Sequence, residues 1–271
     1  MSEASSVRAR TACARCSTQA RSPVSTALLA ASASSRLLRT ETHYDPLIGL
    51  SPFSLVLDEQ PAVSVASGAS ADVDLLVGTT TEEGHLYLVP VDAFAASDAA
   101  DVTRAATAPH PSPLDLVETY RASRPRATSG ELRSAIMGDA LFGAGSWALA
   151  EAHASRAPSS TFAYEFAWRS EALDGQLGAT HAVELPFVFD TTGLPVLNGP
   201  NALLGPRRPP TGLATRMHEA WVRFARTGDP GWARYDDRRR STMHIDAEWA
   251  EVEDPRSEER QAWSADRRPW G

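Results

Sequence analysis

An α/β fold is the architecture this sequence predicts, and three observations predict it. Short apolar runs of strand length, at 72–79 and 162–168, are bounded by polar residues and glycine. Around them lie longer stretches with helical spacing and helix-start signals, at 112–120, 128–140 and 213–225. Carboxylate and imidazole side chains fall on the turns that follow the strand-like runs: Glu82 and Glu83 after the first, His181 after the second. In open α/β sheets the carboxyl edge of the strands is where ligand sites collect.

The composition narrows the chemistry. The chain has 271 residues, 42% hydrophobic and 22% charged, which suffices for one large domain or two small ones with a substantial core. A net charge of −8 provides no basic field for nucleic acid or an anionic membrane, and neither is expected as a partner. All 26 basic residues are arginine, so a lysine Schiff base, a lysine nucleophile and a P-loop lysine are excluded. No apolar run approaches the length of a membrane span. Cys13 and Cys16 are the only cysteines. They are too few for a disulfide-based fold, and with no second ligand pair their spacing reads as incidental. His43, His85, His110, His153, His218 and His244 form no paired metal motif, so no metal or other cofactor is expected.

Taken in order, residues 1–42 read as a leader without fixed structure, rich in Ala, Ser, Thr and Arg. Val24–Ala33 faintly resembles a signal-peptide core, but Ser25, Thr26 and Ser32 interrupt it. Order is expected from His43-Tyr44-Asp45-Pro46, with an extended piece at Phe53–Leu57 and a helix-like segment from Pro61 to Gly68. Asp72–Thr79 reads as a fully buried strand. Ser112-Pro113-Leu114-Asp115 and Thr128-Ser129-Gly130-Glu131 are helix starts, the second a capping box. A break is expected at Gly143–Gly145, then a helix from Trp147 to about His153. Phe162, Tyr164, Phe166 and Trp168 alternate with smaller or polar residues, the period of a strand. Residues 191–210, dense in Pro and Gly, must be irregular. Leu213, Met217, Ala220, Trp221 and Phe224 mark an amphipathic helix that Gly228 and Pro230 stop. Met243 and Ile245 belong to a short closing strand, and the charged tail from Glu251 reads as solvated.

The chemistry centres on Gly178-Ala179-Thr180-His181-Ala182-Val183-Glu184, which leads into the apolar run Leu185–Phe189. Small residues deliver the chain to one imidazole whose backbone is held and whose ring is free to project. A general base needs that placement, because proton transfer requires hydrogen-bond reach. A carboxylate that orients such an imidazole makes up two-thirds of an acyl-transfer triad. The order acid before His is that of α/β-hydrolases.

Val77-Gly78-Thr79-Thr80-Thr81-Glu82-Glu83-Gly84-His85-Leu86-Tyr87-Leu88 resembles the acid segment of the type-B carboxylesterases, the cholinesterase-like α/β-hydrolases. Gly178–Phe189 resembles their histidine segment, 98 positions after Glu83, a spacing similar to that family's. Trp221–Pro230, followed by Trp232 and Tyr235, resembles their late helix and loop. The likeness runs over residues 43–263 and implies that 43–271 is the C-terminal half of an α/β-hydrolase sheet with flanking helices. It also implies that Glu83 is the triad acid, Glu82 its exposed neighbour, His181 the base and Glu184 a structural partner. Phe187 and Phe189 are candidate walls of an acyl pocket, and His85 reads as a solvated loop histidine.

The departure from the family is as specific as the match. Its nucleophile is a Ser in Gly-x-Ser-x-Gly on a strained turn, and no such pentad occurs in this sequence. Gly143-Ala144-Gly145-Ser146-Trp147 has its glycines out of register and follows the acid rather than preceding it. No His-Gly-Gly turn offers oxyanion-hole N–H groups. The expectation is an ester-hydrolase fragment, inactive alone, that takes a small carboxylic ester once a missing N-terminal half complements it. The alternative is a non-catalytic binding relative of the same fold.

Overall fold

The computed structural model describes residues 58–155 and 159–265. The expected leader at 1–42, Cys13 and Cys16, the onset of order at His43 and the extended piece at Phe53–Leu57 lie outside the described residues. The described chain is built around four strands, β1 (Leu75–Thr80), β2 (Thr161–Phe166), β3 (Ser241–Ile245) and β4 (Trp249–Glu253), in that spatial order. β1, β2 and β3 run parallel, and β4 returns antiparallel to β3.

The alternation expected in β2 sorts its side chains to two faces. Phe162, Tyr164 and Phe166 turn toward α8 (Leu213–Thr227), where Phe162 meets Phe224 at 6.1 Å and Tyr164 meets Trp221 edge-on at 4.9 Å. Phe166, Met217, Met243 and Ile245 close this core, along with Val183 and Phe187. On the opposite face Ala163 packs with Ala150 of α6 (Ala144–Ala154). Both faces of the sheet are thus covered by helices, as a parallel sheet requires.

A second core lies wholly among helices. It joins Val102 of α3 (Ala99–Thr107), Leu116 and Tyr120 of α4 (Pro113–Ser123) and Leu132 and Ile136 of α5 (Ser129–Gly138). The two shorter helices that precede these are α1 (Pro61–Ala66) and α2 (His85–Leu88). The expected capping box opens α5: Glu131 N–H donates to Thr128 Oγ1 at 3.3 Å, and Thr128 N–H donates to Glu131 Oε2 at 2.7 Å. Proline takes the first-turn position of α4, where its missing N–H costs nothing.

Three expectations are corrected. The glycines at 143 and 145 do not break the chain, because α5 continues through a π-helical turn (Asp139–Gly143) directly into α6. Gly143 is needed there because a Cβ would fall on the Asp139 carboxylate. β1 is half-buried rather than fully buried, since among the described residues it pairs on one side only. The tail beyond Glu251 is folded: it forms β4 and α9 (Ser257–Ala265), and although Glu251 and Glu253 stay exposed, Arg256, Glu259 and Arg260 are paired.

That pairing fastens α9 to the helical core. The buried Glu259 carboxylate accepts from Arg124 Nε at 2.6 Å and Nη2 at 2.9 Å, from Arg256 Nε at 2.6 Å and from Ser123 Oγ at 2.8 Å. Arg256 and the Tyr120 hydroxyl both donate to the buried Asp139, and Trp263 Nε1–H donates to Tyr120 Oη at 2.8 Å. Burial opposes ionisation of Glu259, but Arg124 and Arg256 overcome it and hold the group at about 2. Because the folded value lies below the ordinary 4.5, the stabilisation is complete above that value and is lost as pH falls toward about 2. Glu259→Ala is expected to cost roughly 3 kcal/mol in denaturant unfolding at neutral pH. That is the low end for a broken buried pair, since Arg124 is partly exposed and Arg256 keeps Asp139. The loss should shrink as the wild type is acidified through the same window.

Candidate active site

β1 and β2 stay in register to their ends, with Thr80 opposite Phe166, so both release the chain at one edge of the sheet. Thr81 N–H donates to Phe166 O at 2.9 Å and carries the pairing one step past the strand. Glu82 and Glu83 follow immediately. The chain leaving β2 makes a loop closed by the bridge between Ser170 and Gly178, then returns to the same edge with His181.

Reciprocal hydrogen bonds join the two turns. Glu82 N–H donates to Ala179 O at 3.0 Å, and Ala179 N–H donates to Glu82 Oε2 at 2.7 Å. Arg169 also pairs with Glu82. Gly178 sits at φ +63°, where a Cβ would collide with the Glu82 carboxylate. Glu82 is therefore the clamp between the two turns, not the exposed neighbour the resemblance implied. The acid turn also lies directly on α5: a Cβ on Gly84 would strike Ser134 O, and one on Gly138 would come within 3.0 Å of Glu83 Cβ.

Glu83 points the other way from Glu82. Its buried carboxylate accepts from Thr80 N–H through Oε1 and from His181 Nδ1–H through Oε2, both at 2.7 Å. An ionised carboxylate only accepts, so the ring proton is assigned to Nδ1 and Nε2 is left with its lone pair. Among the described residues Nε2 has no hydrogen-bond partner. The imidazole side chain is 35% exposed. It rides on a tight turn, with Val183 N–H donating to Thr180 O at 3.2 Å and Ala182 at φ +66°. A left-handed alanine costs about 1–2 kcal/mol, and fully buried Thr180 and Val183 on either side hold it in place.

The electrostatics agree with the geometry. The hydrogen bond to Glu83 outweighs burial and raises the His181 pKa above 6.5. Burial pushes the Glu184 carboxyl up, with Glu83 adding to the effect, and Glu184 stands at the start of α7 (Leu185–Val188). On the face of the His181 ring lies Phe142, stacked at 4.3 Å and 14°. It comes from the π-helical turn, and no feature of the sequence pattern signalled it.

The remaining candidates separate. His85 is buried, not solvated: its Nδ1–H donates to Gln176 O at 2.9 Å, Phe94 meets it edge-on at 4.6 Å, and burial lowers its pKa. Phe187 is fully buried against Phe166 and Trp168, so it has no surface for a ligand, whereas Phe189 is 65% exposed. Among the described residues no cluster of three or more His, Cys, Asp or Glu side chains is placed to hold a metal, and no helix is long and apolar enough to cross a membrane.

A mostly parallel sheet covered by helices on both faces, with a carboxylate–imidazole pair at the carboxyl ends of two neighbouring strands, defines an α/β-hydrolase type of architecture. The chain belongs to the carboxylesterase family, whose sequence model matches residues 3–264. It is 30% identical over 211 residues to para-nitrobenzyl esterase of Bacillus subtilis (strain 168), covering 76% of this chain and 40% of that protein. It is also 30% identical over 198 residues to phenmedipham hydrolase of Pseudarthrobacter oxydans, covering 66% and 36%. The solved carboxylesterase EST55 of Geobacillus stearothermophilus superposes with a TM-score of 0.64 at 27% identity, covering 77% of this chain and 44% of that one. The chain thus spans less than half the length of each of these relatives.

Two measurements check the site's construction. Gly178→Ala is expected to lower unfolding stability by at least about 1–2 kcal/mol, since the left-handed backbone and the displaced Glu82 carboxylate both oppose it. Glu83→Gln is expected to drop the His181 pKa, followed by the ring-proton shift in an NMR titration. Wild-type His181 titrates above its unfolded value, so the pair supports folding below about pH 6.5 and that support is lost as pH rises through the folded value. An unchanged His181 titration in the variant would show that Glu83 does not govern the ring.

Proposed function

We propose that this chain carries the acid and base of a carboxylic-ester hydrolase, with Glu83 orienting His181 and His181 shuttling the proton. The observation that carries the reading is the 2.7 Å bond from His181 Nδ1 to the buried Glu83 carboxylate, with Nε2 unpartnered among the described residues. Nε2 is the nitrogen that accepts the hydroxyl proton of a nucleophilic serine as its oxygen attacks the ester carbonyl. The imidazolium so formed stays paired with Glu83, then returns the proton to the departing alkoxide as the carbon–oxygen bond breaks. A water entering the acyl-enzyme repeats the cycle, giving its proton to Nε2 and releasing the acid. The substrate class is a small carboxylic ester, in keeping with the esterase names of the relatives, and of the two Phe candidates Phe189 alone offers it an apolar surface.

In the same proposal the serine and the oxyanion-hole donors come from polypeptide other than residues 58–265, and the chain alone is inactive. The absence of a Gly-x-Ser-x-Gly pentad supports this, as does the chain's coverage of only about 40% of the para-nitrobenzyl esterase. The complement would extend the sheet from the side of β1 that is unpaired among the described residues. The purified chain is expected to show no turnover of p-nitrophenyl butyrate above that of its His181→Ala variant. Co-expression with the N-terminal portion of a family member is expected to restore turnover, and His181→Ala in the restored enzyme to remove a thousandfold or more, on the order seen when a triad histidine is lost. Robust turnover by the chain alone, abolished by His181→Ala, would place the nucleophile within it. A folded, complemented complex with no esterase activity would sink the hydrolytic reading.

A further inference from the structure

We propose that Phe142 is the positioning residue for the His181 imidazole, a ring-face clamp presented by the π-helical turn between α5 and α6. The inference rests on the reading of His181 as the proton-shuttling base and deepens it. A hydrogen bond from Nδ1 to Glu83 fixes one point of the imidazole but leaves the ring free to swing about that point. A flat partner against the ring face removes this freedom. Phe142 lies at 4.3 Å and within 14° of parallel, while Tyr87, at 6.2 Å and tilted, flanks the imidazole more loosely. The charged groups that bear on the ring are the carboxylates of Glu83 and Glu184. A stacked aromatic face adds an attraction to the imidazolium without competing for either nitrogen.

The placement of Phe142 is built rather than incidental. A π-turn shifts the phase of every later side chain relative to an unbroken α-helix and is frequently found at functional sites. Here the turn is anchored at its first residue: the fully buried Asp139 accepts from Tyr120 Oη and from Arg256. Its last residue is glycine, and a Cβ at 143 would push against the Asp139 carboxylate. The ring three residues after the anchor is thereby delivered to His181. Arg256 belongs to the ionic cluster of α9, so the C-terminal helix supports the active histidine through two shells of contact.

The experiment reads the ring itself in the full chain. Carbethoxylation of His181 Nε2, mapped by mass spectrometry with His244 as internal control, is measured beside the NMR resonance of the His181 Nδ1–H. Phe142→Ala is expected to speed modification of His181 about two- to tenfold, the scale of one lost stacked pair, and to lose the Nδ1–H resonance to exchange with water. Phe142→Leu, which keeps apolar bulk without a ring face, is expected to behave like the alanine variant, and Phe142→Tyr like the wild type. Wild-type behaviour in both the alanine and leucine variants overturns the proposal. So does rescue by leucine as complete as by tyrosine, because that result assigns the effect to volume alone. If the alanine variant fails to fold, the leucine–tyrosine comparison decides. Neither readout uses ester turnover, so the clamp and the hydrolytic reading stand or fall separately.

Discussion

The site depends on a short stitch of main chain. Glu82 and Ala179, 97 positions apart, exchange two hydrogen bonds, one backbone to backbone and one backbone to carboxylate. Turns at a sheet edge ordinarily wander, because their own backbone groups are satisfied by water. Here each turn satisfies the other, and the parallel register of β1 and β2 brings them to the meeting point. The turn after β1, closed by His85 N–H donating to Glu82 O at 3.0 Å, sends its two carboxylates to different partners. Glu82 is committed to the His turn's backbone, and Glu83 faces Thr80 N–H and the imidazole. Two neighbouring carboxylates thus divide the work: one holds the loops together, the other holds the ring.

Behind this stitch stands a helical layer held by an apolar core and by a buried cluster of charges. Isolated charges in an apolar interior are costly, and a cluster is tolerated only when every member is paired and hydrogen-bonded. The Arg124–Glu259–Arg256–Asp139–Tyr120 chain meets that condition, and burial combined with Asp139 holds the Tyr120 phenol well above its ordinary pKa. Its consequence for the site is geometric. α5 supplies glycine-lined contact with the acid turn through Gly138, and the turn that follows carries Phe142 to the imidazole. Catalytic constellations hold their geometry when the groups behind them are locked. The His181 pair is backed in this way from both the sheet and the helices.

What could be read in the sequence divides along physical lines. β2, α8 and the capping box of α5 were legible because alternation, amphipathic spacing and cap chemistry are local signals. The pairing of Glu83 with His181 was legible only through the resemblance to a family, since no local pattern says which of two adjacent glutamates faces a histidine 98 residues away. α9 was missed because its charged residues and Arg256 look solvated until Arg124, Glu151 and Asp139 are brought in from elsewhere in the chain, and β4 because its glutamates do stay exposed. The π-turn was missed for a related reason. Gly143 and Gly145 look like helix breakers, yet Gly143 serves a close approach to Asp139 that exists only in three dimensions. His85 was misjudged because burial is a property of the packed loops around it, not of its own neighbours in sequence.

The two edges of the sheet bear differently on the proposed complement. β4 ends the sheet with Glu251 and Glu253 exposed along it, and charge on an outer strand discourages further pairing. β1, the other edge among the described residues, reads Leu-Leu-Val-Gly-Thr-Thr without a charge, and its residues up to Thr79 are only half-buried. An uncharged, half-covered strand left open would be a liability in solution, because its free N–H and C=O groups template the addition of another strand. Burying the uncovered parts of Leu75, Leu76 and Val77 would be favourable at about 25 cal/mol per Å², and adding a strand would satisfy their outward main chain. A self-pairing of two such edges would meet the same demand without assembling a nucleophile beside His181. Strands of the remaining family fold would meet it on the side where the acid turn begins. The asymmetry between the two edges is therefore the structural reason to seek the complement at β1 rather than at β4.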